Sequence, residues 1–184
     1  IQVIAGATHN EGTSWFEEML NSGAYDYFDA ISYHPYCYPQ NPDVKDYKGN
    51  IEDNRNANIN LLRKYGGEKP VWLTEYGWHT SSASGYVSEK QQAEYMVRSY
   101  ISGKAYGVDK IFWYDFQDDG IDYSSRENAF GSIRNQNADT PYSAKPSFVA
   151  LSNMTRIVDG AEFVREYRPN QSIRAYEFYR KSDN

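Results

Sequence analysis

The run Pro70-Val71-Trp72-Leu73-Thr74-Glu75-Tyr76-Gly77-Trp78 decides the fold. Its apolar, β-favouring first half reads as a buried strand that stops at one carboxylate and enters a glycine-containing turn flanked by aromatic rings. In parallel α/β architectures chemistry sits where strands end, because a rigid sheet holds the loops there. Glu75 is therefore the first candidate site residue. The plainer reading is that it caps the next segment or pairs with a Lys or Arg.

Working outward, the same strand-then-helix unit appears four times. The first strand is Gln2 to Thr8, with a helix from about Ser14, where Ser14 and Glu17 read as a capping box and Gly23 as the stop. The second strand is Phe28 to Tyr33, followed after a proline-containing loop by a helix from about Ile51 to Tyr65, closed by Gly66-Gly67. Val71 to Thr74 is the third strand, and Ser88 with Gln91 caps a helix carrying Ala93, Met96, Val97, Tyr100 and Ile101 on one face. The fourth strand is Lys110 to Asp115, and its helix starts at Pro146 and ends at Gly160. Near-continuous apolar strands between amphipathic helices predict a parallel sheet with the helices outside. The tail breaks this rhythm: Glu162 to Tyr167 and Ile173 to Tyr179 alternate as a β hairpin around Arg168-Pro169-Asn170-Gln171. Residues 1–160 are expected to form the βα body, and 161–184 a β tail that begins an appended β element.

Composition narrows the function classes. The chain of 184 residues is long enough for one core. A mean hydropathy of -0.81, with no long apolar run, excludes a membrane-spanning helix. A formal net charge of -6 argues against nucleic acid or an anionic membrane surface as partner. The single cysteine, Cys37, allows no internal disulfide and reads as a loop filler rather than a nucleophile. Ile1 is preceded by neither Met nor a signal-like stretch, which reads as a fragment or a processed product and leaves the compartment open. Eighteen tyrosines stand out, because tyrosine offers a flat apolar face and a hydrogen-bonding tip, the combination that carbohydrate binders use.

Each strand ends in residues capable of chemistry: Thr8-His9-Asn10-Glu11, His34-Pro35-Tyr36, Glu75, and Trp113 through Asp119. In a parallel sheet all four ends share one rim, so His34, Tyr36, Glu75 and Trp113 are expected to converge on one pocket. Taken singly, His34 reads as a satisfied loop histidine and Trp113 as core.

These segments, in this order, resemble the C-terminal half of the (β/α)8-barrel glycosidases of the large retaining clan that includes family 5 endoglucanases and family 39 xylosidases. Asp29 to Tyr36 looks like their sixth strand, Trp72 to Trp78 like the seventh and Ile111 to Asp115 like the eighth, while Phe130-Gly131 to Leu151 looks like the final loop and helix. The resemblance covers about Ile1 to Val158 and implies half a TIM barrel. It makes Glu75 the nucleophile of a retaining hydrolase acting on a β-linked glycan. His34 and Tyr36 would orient Glu75 and the sugar, with Trp113 as the subsite floor and Tyr76, Trp78 and His9 as further substrate contacts.

One departure follows. Retaining hydrolysis needs a second carboxyl group about 5 to 5.5 Å from the nucleophile. In this clan that acid/base glutamate ends the fourth strand, which the resemblance places ahead of Ile1. A four-stranded open sheet also leaves two edges and an apolar concave face uncovered. Pairing with an N-terminal half-barrel, or an eight-stranded homodimer, is therefore expected. Glu11, Asp115, Asp118, Asp119 and Glu127 are substitute carboxylates. The Asp115 to Asp122 cluster fits a calcium loop poorly, because Gln117 and Arg126 occupy ligand positions, and reads as a solvated acidic loop. His9, His34 and His79 lack zinc spacing, and no glycine-rich phosphate loop is present, so no metal or cofactor is expected. Asn153 and Asn170 begin glycosylation-type triplets that arise often by chance. The rival readings are a non-catalytic carbohydrate-binding half-barrel and an inactive structural fragment.

Overall fold

The computed structural model describes residues 1–9, 12–44, 50–170 and 173–181. Strands β1 (Ile4–His9), β2 (Ala30–His34), β3 (Val71–Tyr76) and β4 (Lys110–Trp113) form one parallel sheet in sequential order. Helices α1 (Thr13–Asn21), α2 (Ile51–Arg63), α3 (Glu89–Ala105) and α4 (Pro146–Val158) alternate with them. Strands β5 (Glu162–Asn170) and β6 (Ile173–Tyr179) pair antiparallel as a separate hairpin. The architecture is half of a (β/α)8 barrel plus a β hairpin. Among the described residues no helix is long and apolar enough to cross a membrane.

Alternation along the strands sorts the two faces. Ile31, Tyr33, Val71 and Leu73 face the helices and share one core with Phe16, Leu20, Ile51, Ile59 and Leu62. The other face is the concave side of the half-barrel, where Ile4 and Phe112 are 38% and 48% exposed. Lys110 Nζ lies over the Trp72 ring there, 4.0 Å from its centre. The outer edges of β1 and β4 pair with no other described strand.

Local details differ from expectation in instructive ways. Helix α1 is not started by a Ser14 box: Gly12, in the left-handed region at φ 63°, precedes it and no side chain caps it. The Ser88–Gln91 box on α3 is present in full, and Asn50 caps α2 by accepting from Asp53 N. The buried face of α3 is more polar than its apolar pattern implies, for it includes Gln92, Ser99 and Ser102, while Val97, Tyr100 and Ile101 are only half-buried. These polar groups are satisfied: Ser99 and Ser102 donate back to Tyr95 O and Arg98 O. Gln92 donates to Trp78 O and accepts from Ser147 of α4, so one glutamine ties α3 to the end of β3 and to α4.

The hairpin rests on the helical shell. Tyr176 and Tyr106 exchange a hydroxyl hydrogen bond at 3.1 Å, and Arg168 reaches Glu52 at the start of α2. A groove of about 1240 Å³ runs between this hairpin, α3 and the loop at Asn41 to Val44. Its Arg98, Arg168 and Arg174 are matched by Asp43, Glu52 and Glu166, so it carries no net attraction for an anion.

Candidate active site

Glu75 reaches the open side of the sheet through an irregularity in its own strand. Leu73 pairs with Ile111 and Tyr76 with Trp113, so β3 advances three residues while β4 advances two. The extra residue reverses the alternation, as a bulge does. Leu73 and Tyr76 both face the core, and Thr74 and Glu75 both turn toward the rim. The Glu75 side chain is 42% exposed. Glycine at 77 lets the following turn cross beneath β4, where an added Cβ would lie 2.0 Å from Tyr114 O.

Two groups from the end of β2 meet the carboxylate. The Tyr36 hydroxyl donates to Glu75 Oε2 at 3.1 Å, and His34 Nδ1 approaches the same oxygen at 3.4 Å. Both fall on Oε2, and among the described residues no hydrogen bond is recorded to Oε1. Burial holds His34 below its ordinary pKa, opposed by the nearby Glu75 charge, so the ring is neutral at pH 7. Burial and the same charge push the Tyr36 phenol far up, which keeps it a proton donor. The loop bearing Tyr36 is held from below by Trp78 Nε1 donating to Gln40 O at 2.7 Å.

The remaining expected residues fall into two groups. His9 ends β1 beside His34, exposed on the rim. Tyr76 and Trp78, expected to touch substrate, are 0% exposed. The bulge turns Tyr76 into the core, and Trp78 packs against Tyr76 and Tyr95, so both support the site without lining it. Trp113 is half-buried, stacked on Trp78 at 5.8 Å and 29°. Its indole nitrogen is buried with no partner among the described residues.

Tyr114 is the residue that the sequence reading left out of the site. It is half-buried, with its ring 6.5 Å from Tyr36 and 5.2 Å from Phe130. Desolvation raises its phenol, reinforced by the charges of Asp115, Asp119, Glu127 and Glu75. In the sequence it falls inside the strand read as Lys110 to Asp115, next to Trp113, and nothing in the spacing singles it out.

Substitute carboxylates prove unequal. Asp118 is 1% exposed and bound to buried Lys145 at 2.6 Å, so it is structural. Asp115 is half-buried, with Oδ1 unpartnered among the described residues, and burial beside Asp119 and Asp118 pushes its carboxyl up to about 7. Asp119 and Glu127 are exposed, the latter paired with Arg126. Glu11 lies outside the described residues. Cys37 is 1% exposed, and burial pushes its thiol up to about 12, which removes it as a nucleophile. Asn153 lies exposed within α4, and the Asn170 triplet extends into residues outside the described ones.

Comparison with known proteins bears on the fold and the family. A family 39 glycoside hydrolase from the gut symbiont Bacteroides cellulosilyticus WH2 superposes with a TM-score of 0.76 at 26% identity, over 93% of this chain and 35% of its own. SrfJ from Salmonella typhimurium shares the fold, with a TM-score of 0.60 at 14% identity, over 94% of this chain and 36% of its own. The chain thus spans about a third of the length of each of these structures. No curated protein matches it. The family described as glycosyl hydrolase catalytic core matches residues 1–142, from the first strand to the loop before α4. With that match covering all four strands and the rim around Glu75, the chain belongs to the glycosyl hydrolase catalytic core family.

Proposed function

We propose that this chain carries the nucleophile half of a retaining glycosidase acting on a β-linked glycan, with Glu75 as nucleophile. The observation that carries the reading is the Tyr36 hydroxyl donating to Oε2, with His34 Nδ1 3.4 Å from the same oxygen, which leaves Oε1 to attack. A carboxylate held by a hydrogen bond loses less freedom on reaching an anomeric carbon, so part of the barrier is met in advance. Oε1 forms the bond to the anomeric carbon while the leaving oxygen departs with the bonding electrons and a proton from a general acid. Water then cleaves the glycosyl ester with that acid acting as base. Tyr114 and Trp113 supply the aromatic surface on which the sugar rests, and His9 borders it.

The general acid comes from four further βα units that close the barrel, in a longer polypeptide, a separate half or a second copy of this chain. The exposed apolar residues of the concave face and the unpaired edges of β1 and β4 support closure. The β5–β6 hairpin is the first ribbon of an appended β element.

The test is covalent trapping. A 2-deoxy-2-fluoro glycoside with a dinitrophenolate leaving group needs little protonation, so it examines the nucleophile without the acid. A panel of such glycosides is expected to yield a mass adduct on Glu75 that Glu75→Gln abolishes. Binding of the sugars without an adduct would instead identify a carbohydrate-binding half-barrel.

A further inference from the structure

Behind His34 runs a short chain of hydroxyl groups reaching into the barrel face. Ser32 Oγ lies 2.5 Å from Thr74 Oγ1, and Thr74 Oγ1 lies 2.9 Å from His34 Nε2. The other ring nitrogen, Nδ1, stands 3.4 Å from Glu75 Oε2. Ser32 and His34 are two apart on β2, so they share a face, and the bulge in β3 brings Thr74 and Glu75 onto that same side.

Each hydroxyl has one proton to place. Ser32 is 1% exposed, and Thr74 is the only polar neighbour recorded for its hydroxyl among the described residues. If Ser32 accepted from Thr74, its own proton would be buried without an acceptor. Ser32 therefore donates to Thr74, and Thr74 donates to His34 Nε2. That nitrogen then has no proton, so in the neutral ring the proton sits on Nδ1 and faces the carboxylate. The opposite order would set the Nδ1 lone pair against Glu75 Oε2 as well as stranding the Ser32 proton.

We propose that Ser32 and Thr74 are positioning residues that lock His34 in its Nδ1–H tautomer, so that the ring presents a donor to Glu75. Free imidazole side chains favour the Nε2–H form, and the relay reverses that preference. The functional consequence rests on Glu75 being the working carboxylate; the tautomer does not.

Long-range proton–nitrogen spectra of the uniformly 15N-labelled protein read the tautomer directly. The His34 signals, identified by their loss in His34→Gln, are expected in the Nδ1–H pattern. Thr74→Val keeps the shape and removes the hydroxyl, and is expected to move the ring to the Nε2–H pattern. Thr74→Ser is expected to keep the parent pattern. An Nε2–H pattern in the parent protein, or an Nδ1–H pattern that persists in Thr74→Val, overturns the proposal. In the trapping assay Thr74→Val should slow adduct formation about 10-fold, the worth of one hydrogen bond, with Thr74→Ser restoring the rate. A parent protein that forms no adduct would sink the nucleophile reading, while the spectra still decide the relay.

Discussion

The carbonyl oxygen of Tyr114 occupies the space in which a side chain on Gly77 would begin: an added Cβ would lie 2.0 Å from it. Tyr114 N also donates to Tyr76 O at 3.0 Å, so the ends of β3 and β4 are drawn together just where the site is built. Neither atom in the clash belongs to a flexible side chain, so only a backbone shift relieves it. Gly77→Ala is therefore expected to destabilise the fold by about 1–3 kcal/mol, the usual cost of overpacking. Urea unfolding measures that loss. An unchanged midpoint would show that the two strand ends separate freely.

Tyr36→Phe isolates the hydroxyl on Glu75. The ring keeps its edge contacts with Tyr38, Tyr114 and Phe130, so the midpoint of unfolding should move little. A hydrogen bond to a charged group is worth about 1.5–3 kcal/mol, so adduct formation on Glu75 should slow by about 10- to 100-fold. A rate unchanged by the substitution would separate Tyr36 from the chemistry.

Much of this organisation was legible in the sequence. The four parallel strands and the hairpin follow from apolar runs and alternation, and the Ser88–Gln91 box from spacing alone. What escaped depended on departures from regular geometry. Tyr76 and Trp78 read as substrate contacts because nothing local announces the extra residue between Leu73 and Tyr76 that turns Tyr76 inward. Gln92 is absent from the apolar face read for its helix, yet it is buried because Trp78 O and the Ser147 hydroxyl supply its partners from elsewhere in the chain. Tyr114 carries no mark in the sequence, because its place beside the end of β3 depends on the close backbone approach at Gly77. Asp118 read as a rim carboxylate because its partner, Lys145, is distant in sequence.

That buried pair yields a sharp stability test. Lys145 Nζ contacts Asp118 Oδ1 at 2.6 Å and Thr80 Oγ1 at 3.1 Å, with Tyr123 donating to the other carboxylate oxygen. Lys145→Met strands a negative charge in the interior and is expected to cost about 3–5 kcal/mol. Adding Asp118→Asn removes that charge, so the double variant should be more stable than Lys145→Met alone. Denaturant titration of the two variants decides it: a double variant less stable than the single would mean that the charge is solvated.

Asp115 and His34 should impose opposite pH dependences. Burial raises the Asp115 carboxyl from its ordinary value of 3.8 to about 7, so between those values the folded state holds a proton that the unfolded state releases. Its contribution is fully present below pH 3.8 and is lost as pH rises through about 7. For His34 the folded value lies below the ordinary 6.5, so the unfolded state binds the extra proton and stability falls as pH drops below 6.5. Asp115→Asn removes the first effect and spares the second. The variant should melt above the parent at pH 8, by roughly 2–4 °C for about 1 kcal/mol in a chain of this size. Near pH 3.5, where the parent carboxyl is already protonated, the two should nearly coincide. A gap of equal size at both pH values would show that Asp115 is ionised throughout, its buried oxygen held by a partner other than a proton.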